Sequence, residues 1–314
     1  MVDSRMTLWE TFQGLQASRE GMVAISVLEN GLVLGRSFEG RLVIGQECDS
    51  RSGASSFRTR QLDFVRGSHV TVYEDELSER ELSLDILRLQ SSCEAHARAL
   101  LNAVFSNYQG VGLAELVATF VDLFSSHSMP SPESILGLWG ELCVIQNSED
   151  PDFLIECWHQ NWSGRTDFRS SFGAVEIKTS LTYGGDLFVQ KDLVDSFQSL
   201  IILLVLAERS SEGQSVFDLR DELAGRVSTK ALAKIDRIFL QLTLGDDSLD
   251  CSQKYRLRLR DEALVGIFTN DLPTVREWDA GVSRIRYLIE DAAQHGSLFG
   301  EEAISGITSV LLAP

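Results

Sequence analysis

The stretch TDFRSSFGAVEIKTS, residues 166–180, decides how this chain is to be read. It begins with a carboxylate at Asp167 and crosses a hairpin-length gap with Gly173 in the turn. It then reaches a second carboxylate and an amine at Glu176 and Lys178. Side chains two apart on a strand share a face, so Glu176 and Lys178 project side by side. With Asp167 at the end of the preceding strand, the hairpin returns Glu176 beside it. Two neighbouring carboxylates make a site for a hard cation, and an adjacent lysine can orient or deprotonate a water. The same pattern describes a salt-bridged solvent face of a hairpin, and the three residues alone leave both readings open.

Upstream, Ser131 as N-cap, Pro132 at the first helical position and Glu133 in the first turn start a helix. Its buried stripe is Ile135, Leu138, Trp139, Leu142 and Ile145. Glu141 lies at the edge of that stripe, either as a boundary residue or turned inward toward a cation. Beyond it, FLIECW (153–158), RTDFRS (165–170) and AVEIKTS (174–180) suit three strands. LTYGGDLFV (181–189) suits a further hairpin around Gly184-Gly185, and QKDLVDSFQS (190–199) a helix. LIILLVLA (200–207) reads as a strand buried on both faces, of the kind a parallel or mixed sheet contains. The order is helix, three strands, helix, strand.

Outside this core the signals are simpler. Residues 4–16 suit a short amphipathic helix. Asn30-Gly31 between two apolar runs is a strong hairpin signal, and Glu39-Gly40 makes a second turn. Strand-like stretches at 70–73 and 82–89 complete a small antiparallel sheet over residues 20–90, with a binding or scaffold role as its default. Two helices follow, and the loop SSHSMPSP (125–132) marks the clearest boundary. Residues 215–243 suit two amphipathic helices, while 254–268 and 283–291 suit strands of a final antiparallel portion. The expected domains are an amino-terminal β domain (1–90), a helical linker (91–126), a core (127–210) and a carboxy-terminal α/β extension (211–314).

Composition narrows the class. A chain of 314 residues that is 44% hydrophobic can bury a sizeable core. No secretory leader is evident after Met1, and the apolar run at 200–207 is far shorter than the roughly 20 residues of a membrane helix. The five cysteines form no C-x-x-C pair, which argues against a zinc site and a disulfide framework. A cytoplasmic protein is expected. His159, close to two tryptophans, reads as structural. Acids outnumber bases 46 to 28, for a net charge of −18. Phosphate backbones are gripped mainly by Lys and Arg. Screening confines exposed charges to about 10 Å, so a local basic groove is still allowed. Weak unassisted affinity for nucleic acid is expected, with a partner protein or a divalent metal supplying positive charge.

This order of elements, with an acid on the first helix, Asp167 on the second strand and Glu176-x-Lys178 on the third, resembles the PD-(D/E)xK nuclease superfamily. More narrowly, GLWGELCVI (137–145), W-S-G-x-x-D-F (162–168) and V-E-I-K-T-S (175–180) look like a bacterial group of such proteins catalogued as a domain of unknown function. The resemblance implies an α/β (α+β overall) fold: a restriction-endonuclease-like αβββαβ core with a mixed central sheet, preceded by the small antiparallel domain and its helical linker. It implies Asp167 and Glu176 as metal-binding carboxylates, the backbone carbonyl of Ile177 as a further ligand, and Glu141 holding the metal shell or a second ion. Lys178 would position or activate the attacking water. The implied cofactor is Mg²⁺, with Mn²⁺ as a substitute, since octahedral oxygen coordination needs only two or three protein ligands. Gln190, at the start of the next helix, resembles a glutamine that some superfamily members place beside the active site. Thr166 stands where the superfamily's proline would be.

Arg165 and Arg169 alternate with Asp167, either to hold the scissile phosphate or to pair with local acids. Trp158 and Trp162 read as core rather than base-stacking platforms. The implied activity is a Mg²⁺-dependent DNA endonuclease in a bacterial restriction or anti-phage defence system. Its partners would be DNA and other protein subunits, with no membrane, and a homodimer would suit cutting of both strands. The rivals are a catalytically inactive nuclease-like subunit that docks DNA or protein, and a nuclease acting on RNA or nucleotides.

Overall fold

The protein was described from a computed structural model covering residues 8–15, 22–27, 31–48, 56–58, 62–75, 78–90, 94–108, 112–125, 132–158, 166–182, 187–190, 200–244, 251–258, 264–268, 286–289 and 298–312. It is a mixed α/β protein that divides into two compact units. One comprises Met1–Pro130 with Ala233–Leu249, the other Ser131–Leu232 with Asp250–Pro314.

The first unit begins with α1 (Leu8–Gly14) and builds one six-stranded sheet. Its strands are β1 (Met22–Val27), β2 (Leu32–Arg36), β3 (Leu42–Glu47), β4 (Phe57–Arg58), β5 (Leu62–Asp75) and β6 (Ser78–Leu89), in the order β1-β2-β3-β6-β5-β4. The two glycines expected in turns sit at Gly31 and Gly40 with φ of 80° and 78°, a left-handed region that glycine enters without a Cβ penalty. Nearly all pairings are antiparallel, as the hairpin turns implied. The exception is β1 with β5, parallel at Met22↔Val72 and Val23↔Tyr73, which curls the sheet back on itself. Val33, Val43, Leu84 and Ile86 pack together as one buried cluster. The unit also holds α2 (Glu94–Asn107) and α3 (Leu113–Ser125).

The second unit opens with α4 (Pro132–Asn147), which begins at the expected proline and buries Ile135, Leu138, Trp139, Leu142 and Ile145 as expected. The next element departs from expectation. FLIECW is not a strand: α5 (Pro151–Cys157) occupies this stretch, with the Asp150 carboxylate accepting the Phe153 N–H at 3.0 Å and Pro151 opening the helix. Six apolar-rich residues have no period that separates strand from helix, and the Asp-Pro start signal wins. Then come β7 (Phe168–Arg169), β8 (Ala174–Ser180), β9 (Leu187–Gln190) and β10 (Leu200–Gln214).

The remaining elements are α6 (Val216–Ala224), α7 (Thr229–Leu244, which from Ala233 onward belongs to the first unit), β11 (Tyr255–Leu257), β12 (Leu264–Phe268), β13 (Arg286–Ile289), β14 (Leu298–Phe299) and α8 (Gly300–Leu312). The central sheet runs β14-β12-β10-β8-β7, with β11 added to β10. It is mixed: β8 runs parallel to β10, whereas β7–β8, β10–β12 and β12–β14 are antiparallel. Leu200–Ala207 of β10 is buried on both faces, as its unbroken apolar run required. Helix α6 packs on α4 and β10, and α8 lies along β12, β10 and β8. The terminal helix α8 lies beyond the last expected strand (283–291), in a stretch for which no particular element was expected. Gln190 is also corrected: it is the last residue of β9 and pairs with Arg286 of β13 in a separate two-stranded sheet. Residues 183–186 and 191–199, where a hairpin tip and a helix were expected, lie outside the described residues.

Gly140 sets the distance between α4 and β8. A Cβ built there would stand 1.9 Å from Thr179 Oγ1. Thr179 shares its strand face with Ile177 and Val175, so α4 packs on that face and brings Glu141, the next residue, to the edge of β8. Trp139 secures the same helix by donating its indole N–H to the Gln214 carbonyl at 2.9 Å.

Candidate active site

The hairpin between β7 and β8 is tied off at its turn. Ser170 N–H donates to the Gly173 carbonyl at 3.0 Å, and Ser170 Oγ accepts from Phe172 and Gly173 N–H. This fixes the register Phe168↔Val175 and Arg169↔Ala174. Strand β7 is only two residues long, so its pairing with β8 ends at Val175. Asp167 lies just before β7, and its Oδ2 accepts the Ile177 N–H at 2.6 Å. Because N–H and C=O of one strand residue leave from the same edge, the Ile177 carbonyl points to this side as well.

Glu176 is 9% exposed, although a charged group seldom enters an interior unpaired. One Glu176 oxygen accepts from Lys178 Nζ, the pair that the i, i+2 spacing predicted. Glu141 arrives from α4, and its Oε2 accepts the indole N–H of Trp158 at 2.5 Å. Trp158 is fully buried and its ring stacks on Phe168, with centroids 6.5 Å apart.

These four side chains act on one another electrostatically. Burial, then the negative charge of Glu141 and of Glu176, pushes the Asp167 carboxyl well above the carboxylate range, against the Ile177 N–H and the Lys178 charge. Burial works against a charged Lys178, but Glu176, Asp167 and Glu141 outweigh it and raise the ammonium pKa. These acidic neighbours favour the charged form of Lys178, which suits it to stabilising negative charge.

Three carboxylates and a backbone carbonyl are hard oxygen donors of the kind that suits Mg²⁺ or Mn²⁺. Their mutual repulsion, visible in the raised Asp167, is what a divalent cation relieves. The donor set thus fits the implied ion in chemistry. In the rotamers present each carboxylate is turned to an N–H donor, and among the described residues no three acidic, histidine or cysteine side chains converge as a ready ligand group.

Arg169 is exposed on β7, Gln190 belongs to the β9–β13 pair, and Arg165, His159 and Trp162 lie outside the described residues. Two contributors were not anticipated. Gly140 carried a signal, since a glycine inside a helix weakens it and calls for a packing reason. Trp158 was read as core, which it is, but its bond to Glu141 left no trace in the spacing.

Among the described residues, no helix is long and apolar enough to cross a membrane. Neither a curated protein nor a solved structure matches the chain. A family model described as "Putative PD-(D/E)XK family member" matches residues 46–290, more than half of the sequence. The chain accordingly belongs to this family of putative PD-(D/E)XK proteins.

Proposed function

We propose that the protein is a divalent-metal-dependent DNA endonuclease that hydrolyses phosphodiester bonds at the Glu141–Asp167–Glu176–Lys178 cluster. The observation that carries this is the surplus of negative charge there: Glu141 and the buried Glu176 press on a half-buried Asp167, with Lys178 as the nearby cation. Asp167, Glu176 and the Ile177 carbonyl would hold Mg²⁺ or Mn²⁺, with Glu141 completing the shell or serving a second ion. Such an ion, when bound, polarises the phosphodiester and lowers the pKa of a water. Lys178, kept protonated by its acidic neighbours, stabilises charge developing on the phosphate. Arg165 and Arg169 are candidates for the phosphate grip, and Gln190 for a further substrate contact. The net charge of −18 favours a nuclease loaded onto DNA by partner proteins, as in a bacterial restriction or anti-phage defence system.

The test is a panel of supercoiled plasmid, linear duplex, single-stranded DNA and RNA, each with Mg²⁺ or Mn²⁺. Nicking or linearisation of plasmid by the wild type, lost in Asp167→Asn and Glu176→Gln, is the expected result. Cleavage of RNA alone would overturn the choice of substrate. One observation favours a second function, that of a nuclease-like subunit that docks DNA or protein: each carboxylate already has an N–H donor. Equally poor Mn²⁺ binding by wild type and both variants, with no cleavage, would decide for docking.

A further inference from the structure

Among the described residues, the second unit buries two tryptophans completely and satisfies their indole N–H groups differently. A buried indole N–H needs an acceptor, and a backbone carbonyl is sufficient. Trp139 uses one, the Gln214 carbonyl at 2.9 Å. Trp158 instead donates to a carboxylate oxygen, Glu141 Oε2 at 2.5 Å, in a charge-assisted bond. Trp158 also bridges Phe168 through its backbone and stacks on the Phe168 ring with planes 19° apart. Phe168 directly follows Asp167 and stands opposite Val175, the neighbour of Glu176. One fully buried side chain therefore touches both the helix that carries Glu141 and the hairpin that carries the other two acids.

We propose that Trp158 is a positioning residue of the acidic site, its indole N–H anchoring one carboxylate oxygen of Glu141 so that this side chain stays beside Asp167 when the cluster closes on a divalent cation. This deepens the metal-dependent function proposed above and rests on it. A glutamate side chain has three rotatable bonds, and holding it in one conformation costs entropy each time it must be ordered. A short charged bond to a fully buried ring makes that ordering part of the fold, before any ligand arrives. Hydrogen bonds of this kind behind metal-ligating groups typically change metal affinity by about 10–100-fold. The ring stacking alone would not require an N–H, so the two roles of Trp158 are separable. Trp158→Phe keeps an aromatic ring and removes the donor.

The experiment is Mn²⁺ titration of the full chain, read by the electron paramagnetic resonance of free ion, for wild type, Trp158→Phe, Glu141→Ala and the double variant. Trp158→Phe is expected to bind Mn²⁺ about tenfold more weakly, with no added loss when Glu141 is already alanine. Equal affinity of wild type and Trp158→Phe overturns the role of Trp158. So does the same loss in both backgrounds, which would make the indole a packing element. A wild type that binds no Mn²⁺ overturns the metal site itself, a failure distinct from the other two. Should Trp158→Phe not fold, the indole ¹⁵N–¹H resonance of Trp158 serves in its place. That resonance is expected to shift in Glu141→Ala and on saturation of the wild type with Mg²⁺. An indole signal unmoved by bound Mg²⁺ overturns the proposal.

Discussion

Strands β6 and β8 each carry a buried acid and treat it in opposite ways. On β6, Asp85 is 5% exposed; its Oδ1 accepts the Gly67 N–H at 2.9 Å, and Arg66 Nε stands 3.4 Å from Oδ2. One charge meets one counter-charge and one N–H. The acid serves a bulge, because the β5–β6 register shifts between Val65 and Ser68, where Gly67 adopts a φ of 62°. On β8, Glu176 pairs with Lys178 but also shares its surroundings with Asp167 and Glu141. Among the described residues three carboxylates there face one ammonium, and burial together with the charges of Glu141 and Glu176 pushes Asp167 up. A buried acid that serves folding is neutralised by its neighbours. A surplus of buried negative charge opposes folding and points to a bound cation as its counterweight.

Removing the acid from each strand should separate the two roles most sharply. Glu176→Gln should lower metal-supported plasmid cleavage by about a hundredfold or more, because a bound cation contributes several kcal/mol to the transition state. Its melting temperature should stay level or rise. A variant that cuts like the wild type would break the contrast. Asp85→Ala should do the reverse, keeping Mn²⁺ affinity while losing about 2 kcal/mol in urea denaturation. That loss reflects the bulge N–H and a partly exposed guanidinium left without their acceptor.

Gly140→Ala tests how α4 delivers Glu141. The new Cβ would overlap Thr179, so a cost of about 2 kcal/mol is expected together with weaker Mn²⁺ binding. Unchanged binding would free Glu141 from any dependence on this close packing. A smaller effect concerns pH. In metal-free protein the raised Asp167 pKa means that the folded state holds this proton more tightly than the unfolded one. The resulting stability is present at low pH and is lost as pH rises from the ordinary aspartate range through the raised folded value. Melting temperature against pH should therefore fall less steeply over that interval for Asp167→Asn, and a steeper fall would contradict the assignment. The smallest effect is a control on the same helix. Gly137 has open space where a Cβ would go, so Gly137→Ala should stabilise by about 0.5–1 kcal/mol and leave Mn²⁺ binding alone.

Elements with a sustained period and a clear start or turn are legible in the amino-acid order alone. Helix α4 announces itself through Ser131-Pro132 and a complete buried stripe, β10 through eight apolar residues in a row, and the β1–β3 meander through its turn glycines. The i, i+2 spacing of Glu176 and Lys178 is sufficient to predict their pairing, because it depends only on strand geometry. Short apolar runs are not legible, and FLIECW became α5 because a local cap outweighed a pattern too short to have a period. Gln190 went to a separate sheet, since strand partners are chosen across long sequence separations that no local window contains.

By itself, then, the sequence determined which residue types stand at the candidate site and which strand presents them, since both follow from local periodicity. Only the tertiary structure decided what each acid meets. Asp167 caps a strand edge because β7 stops after two residues, and α4 comes close enough to β8 because Gly140 has no side chain. Glu141 is held by an indole that is 17 residues away in sequence and stacked on the residue after Asp167. Those contacts depend on where rigid elements come to rest against one another, and that is set by packing over the whole core and not by the order of any one stretch.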